Sequence, residues 1–442
     1  MLRGRYDATV HRGVLEDCLD EARYGWQQRG DFLCSAELRL SEVEDVHEER
    51  LRACVDVLAC VPPREARCLL RKNLTEDDRE RVAVASLALL ARGEEAETEA
   101  VLEELRGGEE RRVWVGEALE VAEGTGLGAR LAAWVDAEGE EPEVRAVVLE
   151  ALAVRGESPG AARLTRALVH PAPELRRAAL RAARRFPKEA EGARVRQGLE
   201  SAAPELRAAA LEAGLVQGQH AVWRACQEAA EAPDVAGRTA RLLLALGGAA
   251  PDVERLARLA EVPMLRRDAL WALGFSGSAL AAEACLPWLS DALLGPLAGE
   301  AFSAVTGLRL EGDYGHPRPA GVELPPLEED LELSLLPGPD DALQVPHARE
   351  VERWWAGARK GFDSRERYLG GRPCTEARLV QALDEVPMRR RGPLLLELAI
   401  RTQGEHAADP RAWAHVQRRQ LGGVREWAGD SPLRPFGAWM NR

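Results

Sequence analysis

The sequence has no long apolar run. Its longest, Val82 to Ala91, covers ten residues, half of the roughly 20 that a bilayer-spanning helix needs, so a membrane protein is not expected. The opening MLRGRYDATVHRG lacks the apolar core of a secretory signal. Aromatic and β-favouring residues are sparse, with six Phe and four Tyr in 442 residues. Ala, Leu, Glu and Arg are abundant instead, which favours helix over sheet. Positive charge is also short: 59 Lys and Arg against 73 Asp and Glu give a formal net charge of −14. That balance argues against nucleic acid or an anionic membrane as the general partner. The eight cysteines include no CxxC pair. Cys18, Cys34, Cys54, Cys60 and Cys68 cluster early in helical context and read as reduced, buried small hydrophobes of a cytoplasmic protein.

Signatures of catalysis are missing as well. The eight histidines form no HExxH and no paired metal spacing. There is no Walker loop and no G-x-S-x-G. GTGLG at 124–128 follows a helix rather than a strand, so it reads as a turn and not a dinucleotide cradle. No catalytic residue, metal or cofactor is expected, and the many acids read as solvated surface.

What the chain does contain is a sentence written repeatedly. PEVRAVVLEALAVRG from Pro142, PELRRAALRAARRFP from Pro173 and PELRAAALEAGLVQG from Pro204 are 31 residues apart, a period that marks stacked repeats. Pro followed by an acid suits the first turn of a helix, and apolar residues at i, i+3, i+4 spacing continue it. RERVAVASLALLARG and ERRVWVGEALEVAEG precede these copies; DVAGRTARLLLALGG and PMLRRDALWALGFSG follow; PLAGEAFSAVTGL is a degenerate last copy. The copies end at Gly93, Gly124, Gly156, Pro187, Gly218, Gly248 and Gly277, in steps of 31, 32, 31, 31, 30 and 29. Shorter helices are expected between them, at 161–169, 193–200, 221–229, 253–260 and 279–289. Two helices in about thirty residues predict an all-α fold, an α-solenoid over residues 77–310.

The flanks differ. Residues 1–76 predict a helical N-terminal cap, with Leu15, Leu19, Ala22 and Trp26 on one stripe of a helix over 14–29. Ser41 and Glu44 make a capping box for a second helix to about 59. The alternative role for this segment is a partner-binding head. Residues 311–346 are rich in Pro and acid and read as a linker, either an exposed tether or a strap across a groove. Residues 347–442 predict a C-terminal helical region: helices at 348–360, 375–386, 392–402 and 412–421, a loop at 361–373 and irregular coil over the last twenty residues.

The repeat pattern resembles HEAT repeats of the short phycobilin-lyase type, in which each copy carries D-x-x-x-VR-x-x-A-x-x-A-L-G. Val144–Arg145, Leu175–Arg176, Leu206–Arg207 and Leu265–Arg266 occupy the VR place, each Arg eleven residues before its terminal Gly or Pro. The resemblance implies that these arginines pair with an acid of the neighbouring repeat and are structural. AFSAVTGLRL, VERWWAGARKGFDSRERYLGGRP, LVQALDEVPMRRRGPLLLELAIRT and the N-terminal EARYGWQQRGDFLCSAELRLSEVEDVHEERLRACVDVLA together resemble a bacterial HEAT-repeat family without an established activity. That family occurs in myxobacteria and other proteobacteria, sometimes beside type VI secretion genes.

Two features read as interaction surfaces. Arg177, Arg181 and Arg184 sit at i, i+4, i+7 and can form one basic stripe; Arg389, Arg390 and Arg391 form a second cluster. Each is read as a solvated face paired with local Glu, or as a contact for phosphate or nucleic acid. Trp354 and Trp355 are adjacent, so on a helix they point about 100° apart; one packs and the other is free to anchor a partner. The expected function is a non-catalytic protein-binding scaffold or adaptor with a protein partner. A lyase-like accessory enzyme or a nucleic-acid-binding repair protein is the alternative.

Overall fold

The computed structural model describes residues 8–318 and 340–440; most of the expected linker, 319–339, lies outside the described residues. The fold is all-α. Strand is confined to two short antiparallel pairs among the described residues, Gly315–His316 with Val345–Pro346 and Tyr368–Leu369 with Arg372–Pro373. The chain divides into two compact units. One comprises Met1–Leu33, Leu38–Gln217 and Thr402–Gly422; the other comprises Cys34–Glu37, Gly218–Arg401 and Gly423–Arg442.

In the first unit the long helices of successive repeats are Arg79–Ala91, Glu109–Val121, Pro142–Arg155, Pro173–Arg185 and Pro204–Val216. Each packs on the next. The short helices between them are Glu95–Glu103, Leu127–Asp136, Ala161–Leu168 and Gly192–Gln197. The three Pro copies begin with Pro at the first position and Glu at the second, where a missing N–H costs nothing and a carboxylate faces the helix dipole. Asp78 caps the Arg79 helix by accepting from Arg81 N at 2.9 Å. Gly156 closes the Pro142 helix at φ 73°, a left-handed geometry that a side chain would strain. One apolar core runs from Leu15 to Ala213 and takes in Ala412, Trp413 and Val416.

Ala8–Leu33 opens this unit with Leu15, Leu19, Ala22 and Trp26 all buried, as the stripe predicts. The next helix starts earlier than the Ser41–Glu44 box implies. Glu42 accepts from Arg39 N at 2.8 Å, and a π-helical stretch at Val43–Glu48 precedes Glu49–Ala59. The wider turn rotates later side chains out of the expected phase. Val55 is buried there, whereas Val46 and Val57 are exposed.

The second unit repeats the scheme with long helices Val235–Gly247, Arg266–Ser276 and Gly295–Thr306 and short helices His220–Ala229, Ala250–Ala260 and Ala279–Cys285. Its C-terminal elements are Ala348–Ala358, Glu376–Glu385 and Met388–Arg401. The last begins a turn before the expected 392, since it holds Pro393 in its second turn. The expected loop at 361–373 contains the second hairpin, which caps two long helices. Tyr368 N donates to Gly277 O at 2.7 Å, Gly370 N to Ala304 O at 2.8 Å and Gly371 N to Val305 O at 3.0 Å. Carbonyls that a helix end leaves orphaned are satisfied there. The final residues are not loose coil: Leu433, Phe436 and Met440 are buried, and Phe436 packs edge-on to Trp223 with centroids 5.7 Å apart.

Three of the four repeat arginines, Arg145, Arg207 and Arg266, grip main chain; an acid of the neighbouring repeat is held by Arg241 of the looser copy, which lies 2.9 Å from Asp268. Arg145 Nε donates to Val135 O at 2.9 Å. Arg207 reaches Ser201 O and Ala202 O at 2.9 Å, and Arg266 reaches Ala260 O and Glu261 O at 2.9 Å. In the looser copy Arg241, fully buried, takes Ala230 O at 2.8 Å and Ala232 O at 2.9 Å. In each case the guanidinium, a flat fork of donors, ties the C-terminal end of a short helix to the long helix that follows it.

Gly247 tests the packing of the tail. A Cβ there would lie 2.0 Å from the Phe436 ring. Gly247→Ala is expected to cost about 1–3 kcal/mol and to loosen the terminus. Urea denaturation and limited proteolysis should show a lower midpoint and new cleavage after residue 421; wild-type resistance would refute the placement.

Candidate functional site

The sequence singles out three groups of side chains, and the structure gives each a different setting. Arg177, Arg181 and Arg184 lie on the Pro173 helix, but not as a free basic stripe. Arg181 Nη1 is 2.9 Å from Glu150 Oε1. Arg184 Nη1 is 2.7 Å from Glu212 Oε2, and its Nη2 is 3.5 Å from Asp409 Oδ2. Only Arg177 has no such partner; its Nε is buried and unpaired. Glu150, Arg181 and Glu212 hold the same place in three copies 31 residues apart, so stacking lines up charges of alternating sign.

The segment 402–422 completes this network. Arg411 lies 2.7 Å from Glu120 Oε1 and 3.2 Å from Asp409 Oδ1. Ala414 N donates to Glu48 Oε2 at 2.7 Å, and Trp413 Nε1 to Val121 O at 2.7 Å. Arg29 stacks over the Trp413 ring at 4.6 Å and pairs with Glu48 at 3.4 Å. The segment thus lies against polar groups of the Glu109 and Pro173 helices and against Glu48. The partners of Arg181 and Arg184 are Glu150 and Glu212 of the neighbouring repeats and Asp409, rather than acids on the same helix.

Arg389, Arg390 and Arg391, read from sequence as surface, are interior. Three consecutive residues on a helix cannot share one face, and here each is held by partners within the second unit. Arg389 pairs with Asp340 at 2.8 Å and Glu300 at 3.3 Å. Arg390 donates to Gly274 O at 2.7 Å and stacks on Phe275 at 4.1 Å. Arg391, 1% exposed, donates to Leu383 O. Nearby Glu397 lies between Arg367 at 2.9 Å and Arg401 at 2.6 Å; burial pushes its carboxyl up, but the two guanidinium groups outweigh it and hold it below the usual range. Trp355 is buried against Phe302 and Phe362 at 5.5 and 5.1 Å. Trp354 is half-buried, edge-on to the same Phe302 at 6.1 Å.

The cysteines are unpaired. Cys226, Cys285 and Cys374 are buried, yet Cys34, Cys60 and Cys68, expected inside, are exposed and Cys18 and Cys54 half-buried. Among the described residues no group of three or more His, Cys, Asp or Glu is arranged to hold a metal, and no helix is long and apolar enough to cross a membrane.

Two features were not read as sites from sequence. In the first unit a pocket of about 170 Å³ has aliphatic walls from Leu168, Val169, Leu180 and Leu206, with Arg176, Arg194 and Gln197 opening onto it. In the second unit Val235, Met264 and Leu293 recur every 29 residues, each at the corner where a short helix passes to a long one. All three are exposed, Met264 to 73% and Leu293 to 83%. The corners are ordered: Asp291 Oδ1 accepts from Leu293 N and Leu294 N at 2.9 Å, and Leu265 N and Arg266 N both donate to Val262 O. The 29-residue recurrence was the signal available in the sequence.

Burial pushes the Glu120 carboxyl up to about 7 from an ordinary 4.5, although Arg411 opposes it. Below pH 4.5 the group is neutral folded or unfolded. Between 4.5 and 7 only the unfolded chain ionises, so stability falls as pH rises through that window. Glu120→Gln, which keeps an acceptor for Arg411, should match wild type near pH 4.5 and exceed it by about 3 kcal/mol above pH 7; urea midpoints that differ equally at both pH values would refute this. No protein-family model and no curated protein matches the chain.

Proposed function

We propose that the protein is a non-catalytic scaffold that binds a protein partner through the corner row of the second unit. The observation that carries this reading is the apolar series Val235, Met264 and Leu293, exposed at the same corner of three successive helical pairs. Exposed apolar residues occurring singly are ordinary; a periodic row on ordered turns is not, and such patches mark interaction sites. Packed helices stand about 8–10 Å apart, so the row has a pitch near 10 Å. Seven residues of an α-helix rise about 10.5 Å. A partner helix with an apolar residue every seventh position would match the row, and α-solenoids commonly bind extended partners in this way. The HEAT-like reading of the repeats fits the same role.

Of the six arginines that the sequence offers to nucleic acid, Arg181, Arg184, Arg389, Arg390 and Arg391 are turned to internal partners and Arg177 is not, which favours the protein-binding reading over a repair protein. Met264→Asp with Leu293→Asp should leave the fold intact, because both side chains are exposed. The double variant should lose an interactor that wild type retains in crosslinked pull-downs, with about a tenfold loss of affinity per site. Unchanged melting but an identical set of interactors would refute the proposal.

A further inference from the structure

The repeat arginines have one exception. Arg145, Arg207, Arg241 and Arg266 each hold carbonyls at the end of the preceding short helix. Arg176 occupies the same place in its copy, yet no hydrogen bond or ion pair to its guanidinium is present among the described residues. Its Nε is withdrawn from solvent and unpaired. A buried donor without a partner is costly. Arg176 is also the repeat arginine that lines the pocket between the Ala161 and Gly192 helices. The group that elsewhere ties the repeat together here faces a cavity.

We infer that this pocket binds an aliphatic carboxylate, with Arg176 as its charged contact. The charge fits one anion: the second guanidinium, Arg194, is already paired with Glu191 at 2.9 Å, leaving Arg176 as the uncompensated cation. That favours a singly charged carboxylate over a phosphate dianion, and the fork of an arginine matches a carboxylate in two parallel hydrogen bonds. The walls fit an apolar body, since Leu168, Val169, Leu180 and Leu206 surround the polar end. The size fits a small one: about 170 Å³ is the space of roughly five or six waters, enough for one branched side chain and its carboxylate. A short-chain carboxylic acid and the free C-terminus of a peptide ending in an aliphatic residue share this chemistry. The site belongs to the first unit and is independent of the corner row.

The test uses the full chain with labelled methyl groups and follows the Leu168, Val169, Leu180 and Leu206 resonances. N-acetyl-leucine is titrated against N-acetyl-leucinamide, which has the same body without the charge. The expected result is saturable shifts with the acid, none with the amide, and at least tenfold weaker binding in Arg176→Gln. A tripeptide ending in free leucine separates the sources: tighter binding than N-acetyl-leucine assigns a peptide terminus, equal or weaker binding a free acid. Because Arg176 holds no carbonyl, Arg176→Gln should melt as wild type does, whereas Arg207→Gln should melt lower. No saturable shift, equal response to the amide, or a melting loss in Arg176→Gln as large as in Arg207→Gln would overturn the inference.

Discussion

A helical pair of about thirty residues has more apolar surface than it can cover alone, and everything else in this structure follows from covering it. In the first unit the answer is a single core threaded through the long helices from Leu15 to Ala213. Contacts of this kind are local along the chain, so each repeat contributes through its nearest neighbours. What stacking does not supply is a partner for the ends of the helices. Arginine side chains from the next helix take the exposed carbonyls of the short helices in four copies, and the Tyr368–Pro373 hairpin takes those at the ends of two long helices.

Charge is handled by the same rule of buried groups with partners. Glu397 sits between two arginines, and Glu120 between Arg411 and the desolvation that opposes it. A buried pair of this sort adds little net stability compared with apolar packing. Its effect is to fix which segment lies where: the 402–422 stretch carries Asp409 and Arg411, which match Arg184 and Glu120 on the helices it covers. The apolar corners of the second unit and the pocket of the first are not part of these pairings.

Much of the helical scaffold was legible because its signals are local. Pro142, Pro173 and Pro204 announce helix starts, and the observed helices begin at those residues. The short helices Ala161–Leu168 and His220–Ala229 fall within a residue of expectation. Glu95–Glu103 and Leu127–Asp136 were missed, since acids and small residues blur the apolar period of the first and a Gly-rich turn abuts the second. The sites were far less legible. Arg389, Arg390 and Arg391 look like a surface cluster because a run of charge normally is one; their burial depends on Glu300, Asp340 and the carbonyls of Gly274 and Leu383, residues from 8 to 116 positions away.

By itself the sequence determined the period, the helical class and the places where helices begin and end, because each of those rests on contacts within a turn or between adjacent repeats. The tertiary structure alone decided which charges are free. Arg176 and Arg207 stand in near-identical text, PELRR and PELRA, yet one faces a cavity while the other holds two carbonyls. Their difference lies in where the carbonyls of the preceding turn come to rest, and that position is set by packing and cannot be read from the identity of either residue.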